Sequence, residues 1–446
     1  MDKLFGTDGI RGLAGVFPLD AATVQVIGTS VAQSFRDRVG RPARFITGRD
    51  TRESGAGIEA AFHAGATTAG ASCESAGVIT TPGVAYLAGA FHFDAGVVVS
   101  ASHNPYQDNG IKIFLASGRK IDDAFERLIQ GSVESAEASS TNEIILEPPV
   151  DAVKRIAYAM HLHRAAENVP ANSLKLVVDC ANGAASKFAG RVFTKAVAEV
   201  ITINDHPDGR NINAGCGSLH LDKLREAVLS EKADLGVAFD GDADRALFVD
   251  AMGKVVDGDA TLWILASYLQ NAGKLHNSTV VATVMSNIGL ELALKTRRIS
   301  LLRTSVGDKY VLEKLTETGS EIGGEQSGHI IFSELSLVGD GMMTALLLLR
   351  ALVEGRSTLS AATHGFTPYP QILLNIPVVK KPAFDSIPAI DDAAKAIEGD
   401  LQGEGRLLLR YSGTENLARV MIEGKDERSI SEQAHRLGDI IKRALG

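Results

Sequence analysis

The chain has 446 residues, 45% of them hydrophobic, and a formal net charge of -9. That length exceeds a single hydrophobic core and points to three or four domains, while an acidic balance without a basic run or pole excludes a surface built for nucleic acid or an anionic membrane. MDKLFG opens on a glycine-rich segment with no apolar signal core, and no stretch approaches the roughly 18 apolar residues of a transmembrane helix, so a cytoplasmic protein is expected.

From the N-terminus, GTDGIRG (6–12) is a glycine-dense loop carrying Arg11. ARFITGRD (43–50) reads as a strand, an alanine-rich helix follows over 55–71, and ESAGVITTP reads as a strand and turn. Val97, Val98 and Val99 form a buried strand, because fully covered strands are short continuous apolar runs. This strand empties into SASHNP, and IKIFLASGRKID then makes a hairpin. The order recurs in LKLVVDCANG, a helix near 184–197, AEVITINDHPDG and ADLGVAF, which lead into DGDADR; the hairpin ALFVDAMGKVVD sets Met252-Gly253 where Ser117-Gly118 stood. A third copy runs through STVVATVMSNIG, a helix near 288–296, ISLLRTSVGDKY and SEIGGEQSGHIIF, with a less marked hairpin, and closes on the helix of GMMTALLLLRALVEG.

After Phe366 the pattern changes to YPQILLNIPVV, a Lys-Lys-Pro linker, a helix around 390–400, RLLLRYSGTENLARVMIEG and a terminal helix. The expected fold is α/β: three tandem related α/β domains with mixed sheets plus a smaller C-terminal α+β domain, with an active-site cleft between the four. The divisions fall at 1–152, 153–254, 255–367 and 368–446. Cys73, Cys180 and Cys216 are odd in number and scattered, which argues against a disulfide framework or a zinc site.

The chemistry concentrates in the loops. Asp240, Asp242 and Asp244 alternate directly after a buried strand, and carboxylates so close repel unless a hard cation such as Mg²⁺ joins them through oxygen. An EF-hand is excluded, since Arg245 stands where its glycine is needed and Ala251 where its glutamate is needed. The bland alternative is a solvated acidic turn, and a rival reading makes Asp240 itself a phosphoryl acceptor. A metal beside a serine-bearing loop suggests phosphoryl transfer at serine, with Ser100 and Ser102 as competitors. His103 adjoins Ser102 in sequence and is poorly placed as its base, which disfavours acyl transfer; capping serines around an Asn-Pro turn are the ordinary alternative. Arg11 on its glycine loop, and Arg410, Ser412, Gly413, Thr414 and Arg419 around RYSGTEN, suit an anionic group. GEQSGH offers Glu325, Ser327 and His329, a set suited to sugar hydroxyls and to proton transfer. There is neither a P-loop nor a strand-borne G-x-G-x-x-G.

As an ordered set over the entire chain, TDGIRG, SASHNPYQDNGIK, DGDADR, GEQSGH and RYSGTEN resemble the α-D-phosphohexomutase family. Gln326 and the segment NAGCGSLH (213–220) make the likeness strongest to bacterial members acting on glucosamine phosphates, although Leu219 stands where a threonine is expected. The resemblance implies a phosphorylated Ser102 that interconverts glucosamine 6-phosphate and glucosamine 1-phosphate through a 1,6-bisphosphate, feeding UDP-N-acetylglucosamine and cell-wall synthesis. It implies one Mg²⁺ per chain on Asp240, Asp242, Asp244 and the Ser102 phosphate, with Arg11, His103, Lys112, Arg245 and His329 near the chemistry. It places Lys309, Glu325, Ser327, Arg410, Ser412, Gly413, Thr414 and Arg419 on the substrate. It further implies glucose or glucosamine 1,6-bisphosphate as activator, a small phosphosugar as partner in place of nucleic acid or membrane, and admits a homodimer. A phosphomannomutase or phosphoglucomutase, and a non-catalytic phosphosugar-binding regulator, are the alternatives.

Overall fold

The computed structural model describes residues 4–6, 8–135, 149–170, 172–412 and 415–446; Gly413 and Thr414, expected on the substrate, lie outside them. Two compact units divide the chain, Met1–Met285 with Leu301–His364, and Ser286–Ser300 with Gly365–Gly446.

In the first unit one sheet plan is built three times. The core of the first sheet is Asp108–Leu115, Ala95–Val99, Arg44–Arg49 and Ser72–Val78 in that spatial order, extended by Gly9–Leu13 and Phe5–Gly6. The second runs Val255–Val256, Ala246–Asp250, Leu235–Phe239, Lys175–Asp179 and Glu199–Ile203. The third runs Ser300–Thr304, Thr279–Thr283, Ile322–Gly324 and Ile330–Phe332. In each, the strand before the motif loop pairs parallel with the first strand of its copy and antiparallel with the strand after the loop. The mixed sheets and the matched loop slots therefore agree with the sequence reading.

The order of elements between them does not. Each copy carries a further helix before the loop strand: Thr81–Ala90, Asp222–Ser230 and Asp308–Thr318. The strands it joins lie on opposite sides of the first strand of the copy, so a hairpin cannot connect them and a crossover helix is a requirement of the topology. The helix expected near 184–197 is broken into a 3₁₀ turn Ala184–Lys187 and a short helix Ala189–Phe193. Its start is committed elsewhere: Ala184 N donates to Gly241 O (2.8 Å) and so braces the acidic loop.

Burial explains why the strands hold. Val97, Val98 and Val99 are fully buried, and the first core joins Phe35, Phe45, Phe62 and Phe125 in tilted and edge-on ring contacts. Helix Ala21–Val39 packs tightly on Gly55–Thr68, where a Cβ on Gly65 would lie 2.8 Å from Gln25 Cα. The hairpin turns sit on Gly118 (φ +85°) and Gly253 (φ +78°), a region that glycine enters without steric cost. All three cysteines are free thiols. Among the described residues no helix is long and apolar enough to cross a membrane.

The second unit is a three-stranded antiparallel sheet, Gln371–Pro377, Leu417–Glu423 and Arg406–Tyr411, covered by Pro388–Leu401 and Glu427–Leu445. It also contains Ile288–Thr296, a helix that the sequence places inside the third copy. The Lys-Lys-Pro segment is fastened within this unit: Lys381 Nζ donates to Ser412 O (2.9 Å), and Val379 N to Leu445 O (2.8 Å).

Candidate active site

Ser102 and Ser100, rivals in the sequence, have different positions. Ser100 Oγ donates to Asp50 Oδ2 (2.6 Å) and accepts from Ser102 N (2.9 Å), so its hydroxyl is committed to shaping the loop. Ser102 adopts φ +52°, a left-handed conformation that costs about 1–2 kcal/mol for a residue with a Cβ. That conformation turns its hydroxyl toward the acidic loop, where Oγ donates to Asp240 Oδ2 at 2.5 Å; His103 Nδ1 lies 3.3 Å away on the other side.

The buried side chains of Asp240, Asp242 and Asp244 bring ligand oxygens within 4.8 Å of one another. Burial, then Asp244 and Asp242, push the Asp240 carboxyl well above its usual range. Asp242 Oδ1 and Asp244 Oδ1 are buried without a hydrogen-bond partner. Unsatisfied buried carboxylate oxygens are costly, and an all-oxygen set of this kind fits a hard divalent cation, so the residues fit the metal that the motif implies. The cation in contact with them is Lys112: its buried Nζ lies 3.1 Å from Asp242 Oδ2, 3.5 Å from Asp244 Oδ2 and 2.9 Å from Asp8 Oδ2. Burial opposes its charge, but Asp242, Asp8 and Asp244 outweigh it and raise the lysine well above its usual value.

The three loops of the first unit meet. Thr81 Oγ1 donates to Asp242 Oδ2 (2.6 Å), and a Cβ on Gly241 would strike Ser102 O, which joins loops one and two. Arg245 and His329 form a β-bridge, and Ala246 N donates to Gly328 O (3.1 Å), which joins loops two and three. His329 Nδ1 stands 3.7 Å from Asp244 Oδ1 and its Nε2 3.8 Å from Asp308 Oδ2; burial disfavours the imidazolium, but Asp244, Asp308 and Glu325 raise its pKa. His103 is the reverse case, lowered to about 4 by burial, Arg245 and Arg11. Glu325 accepts from Gly307 N (3.0 Å) and from Ser327 Oγ (3.2 Å). Arg11 pairs with Asp8 (2.7 Å). Lys309 is turned to Asp123 (2.6 Å) on the wall of a cavity of about 550 Å³, with Lys120 and Asp308 on the same wall.

In the second unit, Arg410 and Arg419 are paired directly across neighbouring strands. Burial and the Arg419 charge lower the Arg410 pKa. Arg410 and Arg419 stand on facing strand positions and Lys381 bonds the Ser412 carbonyl, with Arg419 Nη2 3.4 Å from Glu415 Oε2; an anion would compete with that carboxylate for Arg419.

Several residues in this architecture carry no motif. Arg52 is buried and Asp50 fully so. Asn213 Nδ2 donates to Ser102 O (2.9 Å) and Asn104 O (3.1 Å), a use not legible in NAGCGSLH. Lys120 joins Asp8 to Asp308 (2.6 Å), linking the N-terminal loop to the third copy. The only signal available was position, since Asp50 and Arg52 follow the end of a buried strand, as the motif loops do.

Models of the phosphoglucomutase/phosphomannomutase family match in four consecutive pieces: alpha/beta/alpha domain I over residues 2–140, domain II over 156–253, domain III over 257–369 and the C-terminal domain over 373–440. The phosphoglucosamine mutase of Solibacter usitatus is 44% identical over 99% of both chains, and that of Deinococcus deserti 46% identical over 99% of this chain and 98% of its own. A phosphoglucomutase/phosphomannomutase family protein from Burkholderia thailandensis has a solved structure with TM-score 0.79 at 23% identity, covering 100% of this chain and 98% of that one. Aspergillus fumigatus N-acetylphosphoglucosamine mutase, solved with GlcNAc-6P and magnesium, gives TM-score 0.69 at 18% identity over 99% and 96%. At those identities the structural likeness shows the fold, whereas the family models span nearly all of the sequence. The chain belongs to the phosphoglucomutase/phosphomannomutase family, the α-D-phosphohexomutases.

Proposed function

We propose that the chain interconverts glucosamine 6-phosphate and glucosamine 1-phosphate, with Ser102 carrying the phosphoryl group between them. The main support is the Ser102 hydroxyl, 2.5 Å from Asp240 inside a buried acidic cluster, in a chain 46% identical along its length to a phosphoglucosamine mutase. In the first step the sugar O1 attacks the phosphorus of phosphorylated Ser102 and the P–Oγ bond breaks. A base takes the O1 proton, Ser102 regains a proton, and a 1,6-bisphosphate remains. After the bisphosphate turns end over end, Ser102 Oγ gives its proton to a base and attacks the phosphorus at O6. That P–O bond breaks, the sugar O6 takes up a proton, and glucosamine 1-phosphate leaves with the serine rephosphorylated.

Asp240, Asp242, Asp244 and the Ser102 phosphate would hold Mg²⁺, which when bound offsets charge on the moving phosphoryl group. Arg11, Lys112 and Arg245 supply fixed positive charge around the same point, and His103 and His329 flank it. Glu325 and Ser327 accept sugar hydroxyls in either pose, and Lys309 reaches the substrate on leaving Asp123. Arg410, Ser412, Gly413, Thr414 and Arg419 grip the phosphate that is not reacting. The four-part division at 1–152, 153–254, 255–367 and 368–446, a cytoplasmic location, a homodimer and priming by glucose or glucosamine 1,6-bisphosphate belong to the same reading.

The test is turnover of glucosamine 6-, glucose 6- and mannose 6-phosphate by purified protein with Mg²⁺. Glucosamine 6-phosphate is expected to give the highest kcat/KM, by about tenfold or more, since the hydrogen-bonding difference lies at C2. A higher value on glucose or mannose phosphate would move the chain to another branch of the family. Binding without turnover of any of them would make it a phosphosugar-binding regulator.

A further inference from the structure

Ser102 sits in a backbone conformation that its own side chain disfavours, and the groups that impose it lie behind the loop. Arg52 Nε donates to Asp50 Oδ2 (2.9 Å). Its Nη2 donates to Ser102 O (2.9 Å) and Asn104 O (2.9 Å). Its Nη1 donates to Asp108 O (3.0 Å) and to Pro105 O. A guanidinium has five N–H donors, so each one here meets its own acceptor, four of them carbonyls of a single loop. Asp50 then orients Ser100, and the Ser100 hydroxyl holds the Ser102 amide. Asn213 grips two of the same carbonyls from the second copy.

We propose that Arg52, acting with Asp50 and Ser100, is a positioning residue for phosphoryl transfer: it locks the Ser102 loop so that Oγ is aimed at the acidic cluster. The inference rests on Ser102 being the phosphoryl carrier. Lysine cannot replace the arginine, because three rotatable donors on a point charge cannot span these carbonyls. A loss of aim of about 1 Å is enough to cost on the order of 100-fold in rate without altering substrate affinity.

The experiment compares Arg52→Lys, Ser100→Ala, Asn213→Ala and Ser102→Ala with the parent chain. It reads kcat, KM, melting temperature, and the rate at which glucose 1,6-bisphosphate loads phosphate onto residue 102, followed by intact-protein and peptide mass spectrometry. Arg52→Lys is expected to slow both loading and kcat by about 100-fold, and Ser100→Ala and Asn213→Ala by about tenfold, with KM within about threefold. A merely structural arginine would instead lower the melting temperature while the folded fraction loads at the parent rate, and that result overturns the proposal. Should Arg52→Lys fail to fold, Ser100→Ala and Asn213→Ala decide: parent loading rates in both overturn it, and slowed loading in both supports it. Turnover by Ser102→Ala would remove the underlying reading, whereas an inactive Ser102→Ala beside parent-like Arg52→Lys removes only this inference.

Discussion

The loops after Val99 and after Phe239 fill the same slot in two copies of one sheet, yet they satisfy their polar groups by opposite rules. In residues 100–108 four backbone carbonyls and the Ser100 hydroxyl are bonded by Arg52, Asn213 and Asp50, and the Ser102 hydroxyl is left facing the neighbouring loop. In residues 240–245 two buried carboxylate oxygens, Asp242 Oδ1 and Asp244 Oδ1, have no hydrogen-bond partner, although His329 Nδ1 and Arg245 Nε stand 3.7 and 3.9 Å from the second. A loop gripped at four of its carbonyls holds one atom still, whereas a loop that leaves buried carboxylate oxygens without a hydrogen bond is shaped for a further cation.

The sharpest way to break this contrast is Ser102→Ala. It should abolish turnover, by at least about 10³-fold, with little change in melting temperature, because the loop is held by other residues. Phosphate mapped to Ser100 in the parent protein would reverse the roles given to the two serines. Next, Asp242→Asn should lower turnover by about 100-fold or more and remove the rise in melting temperature that Mg²⁺ gives the parent protein. Equal Mg²⁺ stabilisation of both proteins would show that the unmatched oxygens are not a metal site. Arg410→Ala tests a third arrangement, like charges held side by side, and should raise KM about tenfold and increase 1,6-bisphosphate released into solution. Normal values of both in folded protein would leave the cationic turn without a phosphate.

An effect outside the catalytic loops, read in stability and not in turnover, concerns Asp340, which caps helix Gly341–Glu354 through Met343 N (3.0 Å) and accepts from Tyr158 (2.8 Å). Burial pushes its carboxyl up to about 6. The folded state therefore holds a proton that the unfolded chain has released, so stability falls as pH rises from about 4 to about 6. The loss amounts to at most about 3 kcal/mol. Asp340→Asn should flatten that part of the profile, measured as the urea midpoint against pH; an unchanged slope would assign it to other groups.

How far the sequence was legible follows from where the information lay. The buried strands and the acidic and serine loops were readable because apolar runs ending in dense polar clusters are local signals. The crossover helices were harder: TTPGVAYLAGA is short and carries proline and glycine, and Asp308–Thr318 begins inside ISLLRTSVGDKY, which the repeat sets in the slot of a strand and turn. Arg52 could not be found by any pattern of side chains, since its partners are mostly carbonyl oxygens about fifty residues away, and every residue has one. Lys120 was hidden similarly, as a hairpin lysine whose partners, Asp8 and Asp308, come from distant parts of the sequence.

Helix Ile288–Thr296 has a consequence for how the chain is made. It is translated as part of the third copy, but its N-terminus is held by later residues: Ile288 N donates to Glu423 Oε2 (3.1 Å), Asn287 exchanges two 2.9 Å bonds with Tyr369, and Arg406 Nη2 reaches Ser286 O (3.0 Å). On a ribosome the start of this helix waits 82 residues for Tyr369, 120 for Arg406 and 135 for Glu423. Because the C-terminal unit takes in Ser286–Ser300 as well as Gly365–Gly446, it cannot be removed or exchanged by a single cut. An exchange would have to move both segments together and leave residues 301–364 with the first unit.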